Sequence, residues 1–296
     1  MSGGHAHYVI VDGSGHRVWS RDRAAETLYH DLLRGPDRVI AFIREQRGGH
    51  RDHWMNSIWW QGVALLDLPA RRLLVHTDQW IPGPDRHTSV LEVRAWLRLV
   101  AALWPGWTVT WAARGLHQVM DYLALPYDTV LYLDETPAPR ARWAQAPAED
   151  DLSAVADVLI AARDGERLSF GGWWAAGLAE PLLAGPGVLL TPQEEAVPFA
   201  ALENVPWNGL YVDAPGRRLD WWSLDCSLDP RDLPARWPGW ELTDHGDAFE
   251  EVAALIGPEL LLDVDTEEEV FRRVAAWFVA DAAPDGREAL RAVAPP

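Results

Sequence analysis

Lysine is missing from this 296-residue chain: all 26 basic residues are arginine, and asparagine occurs only at Asn56, Asn204 and Asn208. Lysine and asparagine codons are AT-rich, so the composition points to a GC-rich genome of bacterial type. Cysteine is reduced to one residue, Cys226, which excludes an internal disulfide. No apolar run approaches the roughly 18 residues that a membrane span needs. The start, Met1 to Gly4 followed by His5-Ala6-His7, has neither the charged nor the apolar segment of a secretory signal. A cytoplasmic protein with no membrane partner is the expectation. Positive charge is scarce as well, with 26 arginines against 44 carboxylates and a formal charge of −18. That balance opposes the counterion release behind nucleic-acid binding and the pull of anionic lipid, so neither is expected as a partner. The GxSxG elbow, the Walker phosphate loop, the GxGxxG turn and the HExxH zinc helix do not occur. The commonest hydrolase, nucleotide and metalloprotease readings fall with them, and no cofactor is expected.

What is present is a globular composition, 48% hydrophobic and 24% charged, that repeats itself. At an offset of 150, Gly15, Arg17, Ala25, Leu28, Leu32, Leu33, Gly35 and Pro36 meet Gly165, Arg167, Ala175, Leu178, Leu182, Leu183, Gly185 and Pro186. At 146 to 147, Trp60, Gly62, Asp67, Arg71, Arg72 and Leu73 meet Trp207, Gly209, Asp213, Arg217, Arg218 and Leu219. At 133, Trp104-Pro105-Gly106-Trp107, Thr110 and Val119 meet Trp237-Pro238-Gly239-Trp240, Thr243 and Val252. Order is preserved and the offsets only shrink, which is the pattern of a tandem duplication.

Each copy reads as the same small α+β unit. His7 to Asp12 and His16 to Ser20 alternate around Gly13-Ser14-Gly15 like a hairpin, and Asp157 to Ala161 and Glu166 to Phe170 do so around Arg163-Asp164-Gly165. A helix from Ala24 to Leu33 ends at Gly35, and Pro36 restarts another. Trp54 to Asp67 and Arg72 to His76 form a second hairpin, in which Asp67 closes the turn and is neutralised by Arg71 or Arg72. The WPGW turn leads to a strand from Thr108 to Trp111, a helix from Leu116 to Leu123 and a strand from Thr129 to Leu133. Thirteen residues are missing before the second WPGW, which marks the helix from Val90 to Ala102, capped by Ser89 and Glu92, as specific to the first copy. Only the second copy is followed by a long helix, Glu267 to Ala280, capped by Thr266 and Glu269. The fold class is therefore α+β, a tandem duplication of a mostly antiparallel unit with a long C-terminal helix. The expected division is 1–133 for the first repeat, 134–150 for a Pro/Ala linker, 151–264 for the second repeat and 265–296 for the C-terminal helix and tail.

The copies differ in charge. Residues 1–150 hold 16 arginines and 17 carboxylates, residues 151–296 hold 10 and 27, and nine of the ten histidines lie in the first half. At the offset of 150, Arg21, Asp22, Arg23, His30 and Asp31 face Gly171, Gly172, Trp173, Glu180 and Pro181. Arginine forks and imidazoles supply what an anion, nucleotide or carboxylate requires. A polar ligand site is expected on the first repeat, drawing on Arg17, Trp19, Arg21, Asp22, His30, Trp59 and Gln61.

Two histidine pairs, His5 with His7 and His50 with His53, could complete a metal site with Asp22 or Asp52, although their spacing matches no dedicated signature and no metal is expected. Cys226 with His245 and Asp225 or Asp244 would make a nucleophile set, against the plainer expectation that Cys226 is a small buried hydrophobe. The eighteen tryptophans seal a small core on the plain reading. On the sharper one, Trp19, Trp54, Trp59, Trp80 and Trp111, which have no counterpart in the second copy, form a recognition surface. Two functional classes fit. The first is a non-catalytic binding protein of inhibitor, immunity or regulatory type, meeting a basic or neutral protein through an acidic, tryptophan-rich face. The second is an enzyme or ligand-binding protein for a small anionic or aromatic molecule, with a His/Arg/Asp site in the first repeat or between repeats.

Overall fold

The computed structural model describes residues 4–46, 54–55, 59–79, 81, 89–130, 158–173, 178–190, 202, 204–226, 228–282 and 284–294. They form two compact units, one comprising Met1–Glu135 with Thr266–Pro296 and the other Thr136–Asp265. The expected Pro/Ala linker, His50, Asp52, His53 and Trp80 lie outside the described residues.

In the first unit β1 (His5–Asp12) and β2 (Gly15–Arg21) form a hairpin. Asp12 holds its turn by accepting from the backbone N–H and hydroxyl of Ser14 at 2.9 and 2.6 Å. Helices α1 (Ala24–Leu32) and α2 (Pro36–Glu45) follow, then the hairpin β3 (Trp60–Asp67) and β4 (Arg72–Thr77). Helix α3 (Val90–Leu103), strand β5 (Thr108–Trp111) and helix α4 (Gly115–Leu123) complete the repeat. The strand order is β2-β1-β3-β4-β5. Both hairpins are antiparallel as expected, and they are joined by the parallel pairs β1 with β3 and β4 with β5, so the sheet is mixed. One face, with Val9, Val18, Val63, Leu65 and Leu74, packs on Leu116, Val119 and Met120 of α4. Helix α1 packs on β1 and β3, and Tyr8, facing away from α4, reaches Asp31 of α1.

The second unit repeats this plan with β6 (Val158–Asp164), β7 (Arg167–Trp173), α5 (Ala179–Ala184), α6 (Pro186–Leu189), β8 (Asn208–Asp213), β9 (Arg218–Ser223), α7 (Leu233–Arg236), β10 (Glu241–Asp244) and α8 (Phe249–Ile256). Its order, β10-β9-β8-β6-β7, is the first order read from the other edge. The duplication holds down to single hydrogen bonds. Trp104 Nε1 donates to Leu32 O at 2.7 Å, and Trp237 Nε1 to Leu182 O at 2.7 Å. Thr108 N donates to Arg71 O at 2.8 Å, and Glu241 N to Arg217 O at 2.8 Å, with both arginines left-handed at φ 49°. Asp67 Oδ1 accepts from Ala70 N and Asp213 Oδ1 from Gly216 N, the turn-closing role expected of that acid.

Three local expectations are corrected. The first strand of the second hairpin starts at Trp60, since Trp54 and Met55 lie in no strand. Residues 127–129 form a 3-10 turn, so the strand expected over Thr129 to Leu133 does not begin at Thr129, and its residues 131–133 lie outside the described residues. The first hairpins align at 152: Asp12 pairs with Gly15 and Asp164 with Arg167, so Arg21 corresponds to Trp173, and the matches of Gly15 to Gly165 and Arg17 to Arg167 are accidental.

Both expected capping boxes form: Ser89 with Glu92 opens α3, and Thr266 with Glu269 opens α9 (Glu267–Asp281). In place of α3 the described residues of the second unit have a 3-10 turn at 230–232 and the short α7. Helices α9 and α10 (Pro284–Val293) pack on α3 and belong to the first unit. Arg94 pairs with Glu267 at 2.9 Å, Arg98 with Glu268 at 2.8 Å, and the Arg98 guanidinium lies 3.8 Å over the Phe271 ring.

Candidate functional site

The C-terminal end of α1, the start of α2 and the two C-terminal helices enclose a cleft of about 450 Å³. Its walls are His30, Leu33, Arg34 and Arg38 on one side and Phe278, Asp281, Ala282, Gly286 and Leu290 on the other. Gly35 and Pro36 break the chain between α1 and α2, which brings Arg34 and Arg38 to one rim. Arg34 is held from behind. Its Nη2 lies 3.2 Å from Asp31 Oδ1, while Asp31 Oδ2 accepts from the Tyr8 hydroxyl and from Thr27 Oγ1, each at 2.9 Å. Asp31 is buried, and burial together with that carboxylate drives the Tyr8 phenol far above its ordinary range, so it stays a donor. The ring of Phe42 on α2 meets two guanidinium groups, Arg21 at 5.1 Å and Arg34 at 5.4 Å from its centroid.

His30 lines the same cleft, 3.6 Å from Asp281 and packed against Trp277 and Phe278 at 5.5 and 5.3 Å. Burial pushes its pKa down more than the nearby Asp281 and Asp31 charges push it up, so the imidazole is neutral near pH 7. The charged groups of the lining are then Arg34, which is paired with Asp31, Arg38 and Asp281, beside the apolar Leu33, Phe278 and Leu290.

The seven residues expected to share one site divide into three groups. His30 lines the cleft, and Arg21 adjoins it through Phe42. Arg17 lies nearer the hairpin turn, paired with Asp12 at 3.2 Å and 5.5 Å over the ring of Trp19, which is buried. Asp22, Trp59 and Gln61 gather toward the N-terminal end of α1: Asp22 lies 3.7 Å from His5, Trp59 edge-on to His5 at 6.5 Å, and Gln61 donates to Asp78 at 3.2 Å. The two ends of a nine-residue helix are about 13 Å apart, so the first and third groups lie at opposite ends of α1. Arg34, Arg38, Phe278, Asp281 and Leu290 were not expected. The sequence signal for Arg34 and Arg38 is their position flanking Gly35-Pro36. None exists locally for the other three, which reach the site only because the C-terminal helices fold onto the first unit.

His5 and His7, expected on one strand face, both lie on β1, where the pairing with β3 shifts register at His5 because Gln61 is the extra residue on β3. His7 is buried, accepting from Met55 N at 2.8 Å and packing on Trp54. Among the described residues no group of three or more His, Cys, Asp or Glu is placed to hold a metal ion. Cys226 lies in an apolar cluster with Leu178, Leu228 and Leu233, while both nitrogens of His245 are bonded to carboxylates, so the nucleophile set does not form and the buried-hydrophobe expectation stands. Of the tryptophans whose burial is described, Trp59 alone is exposed, and Trp19 and Trp111 are core. No described helix is long and apolar enough to cross a membrane. In comparisons with protein-family models, curated proteins and solved structures, nothing matches this chain.

Proposed function

We propose that the protein binds a small organic anion, an apolar or aromatic body carrying a carboxylate or phosphate, in the cleft of the first unit. The carrying observation is that Arg34 and Arg38 line, together with Leu33, Phe278 and Leu290, one cleft of about 450 Å³, within the size range of small-molecule sites. Arginine forks take carboxylate or phosphate bidentately, and the Asp31 network holds Arg34 in position before a ligand arrives, which lowers the ordering cost of binding. His30 adds a donor, and a bound anion would favour its protonation.

Titration with benzoate and phenyl phosphate, followed by calorimetry, tests this reading. Saturable binding is expected, weakened about tenfold or more in Arg38→Ala, which removes an exposed charge without touching the core. Binding that is absent for both probes, or indifferent to Arg38, would overturn it. A second reading, a basic protein partner, is favoured by the charge of the second unit, whose residues 136–265 hold 8 arginines against 23 carboxylates.

A further inference from the structure

The second unit carries a buried charge where the first has none. Aligning the ladders, in which Asp67 pairs with Arg72 and Asp213 with Arg218, places Asp220 at the position of Leu74. Ala112 N donates to Val75 O, and His245 N to the corresponding Trp221 O, which places His245 at the position of Ala112. Leu74 and Ala112 are members of the apolar cluster under α4. In the second copy the same two places hold a carboxylate with about 1% of its side chain exposed and an imidazole with 12% exposed, bonded to each other.

The bonding forms a chain. Arg218 Nη2 donates to Asp220 Oδ1 at 3.1 Å, His245 Nε2 lies 3.0 Å from that same oxygen, and His245 Nδ1 lies 2.8 Å from Glu251 Oε2 on α8. We propose that Asp220, His245 and Glu251 form an acid-closed clasp that fastens helix α8 to the sheet of the second unit and loosens as the imidazole loses its proton. Both ring nitrogens face carboxylate oxygens, which only accept, so both bonds form only when both nitrogens carry hydrogen. A neutral imidazole donates to one carboxylate and turns a lone pair toward the other.

The surroundings agree with this. Burial alone would push His245 down, but the hydrogen bonds to Asp220 and Glu251 and their charges outweigh it, and the net shift is upward. On β9 the remaining charge is Arg218, and on β10 Glu241 lies 3.8 Å from Arg218 Nε. At the end of β10 Asp244 accepts from Gly246 N at 2.9 Å, and Asp247 follows in the turn before α8. On α8 itself Glu250 adjoins Glu251. On β8 Tyr211 pairs with Asp220 and accepts from Arg163 Nε at 2.8 Å. The neighbours are mostly acidic, which favours the imidazolium.

The sign follows from linkage. A histidine whose folded pKa lies above its unfolded value gives stabilisation that is complete below the unfolded value and lost as pH rises through the folded one. Each unit of difference corresponds to about a tenfold change in the opening equilibrium. In the full chain, α8 amides are therefore expected to lose protection from hydrogen exchange severalfold or more between pH 5 and pH 9, after correction for intrinsic rates. The His245 ring resonances should titrate across the same interval. The variant D220L/H245A, which restores the pair found in the first copy, should keep α8 protected with no such pH dependence. Glu251→Gln, an exposed change that leaves the fold intact, should lower the pH at which His245 titrates. Equal protection of α8 at both pH values in the native chain, or an unchanged His245 titration in Glu251→Gln, would overturn the clasp.

Discussion

Trp104 is fully buried and its indole donates to Leu32 O, whereas Trp107, three residues on, is half-buried and packs edge-on against it at 5.0 Å. The second copy is the same, with Trp237 buried and Trp240 half-buried at 5.0 Å. Trp104→Ala should lower stability by about 3–5 kcal/mol, the range for truncating a core aromatic, and leaves Leu32 O with only the longer bond from Gly35 N at 3.5 Å. Trp107→Ala should cost roughly 1–2 kcal/mol, closer to an average substitution. Denaturant midpoints of the two variants check the order, and equal midpoints would show that the turn is held by both rings alike. The four tryptophans read alike in sequence because a bracketed turn says nothing about which flank points inward. Likewise, Gly62 and Gly209 match by letter, yet the ladders place Gly62 opposite Thr77 and Gly209 opposite Trp222, one position out of step. Gly209 is glycine because the Trp222 ring fills the space of its side chain.

Helix α3 carries buried residues over more than one stripe, Val90, Leu91, Val93, Ala95, Trp96, Leu99 and Val100, and so needs cover on more than one side. Helices α9 and α10 supply part of it, and the ion pairs from Arg94 and Arg98 set their register while each contributes under about 1 kcal/mol at the surface. Deleting residues 266–296 should therefore destabilise the first unit and abolish probe binding, because Phe278, Asp281 and Leu290 leave with them. Arg98→Ala should cost little and leave binding intact. A truncated chain that binds as tightly as the full one would place the ligand elsewhere. Both capped helices, both WPGW turns and the insertion of α3 were readable in the sequence, since caps and turns are written in adjacent residues. The return of the C-terminal helices to the first unit was not, because no local pattern says which apolar surface a helix will cover. Half of the cleft was hidden for that reason.

The two units are built to answer acid in opposite directions. In the first, His76 lies between Trp60 and Trp111, each 5.3 Å away, and burial pushes its pKa down to about 4. A histidine held neutral in this way supports the fold fully above its unfolded pKa of about 6.5, and the support is lost as pH falls toward the folded value. The loss is on the order of 3 kcal/mol across that window. Hydrogen exchange of β4 amides should accordingly quicken below pH 6, while α8 amides of the second unit become better protected. His76→Leu should flatten the response of β4, and a response that survives the substitution would assign it to another group.

The first unit is assembled from both ends of the sequence, with the whole second unit spliced between them. During synthesis the strands and the exposed flank of α3 emerge early, while the segment that covers that flank emerges only after the second unit. At about 5–20 residues per second, the 161 residues from Thr136 to Pro296 occupy roughly 8–32 s of translation. The second unit is contiguous and can close within that interval. The first stays uncovered along α3 until α9 and α10 have been made, so the copy translated first is completed after the other.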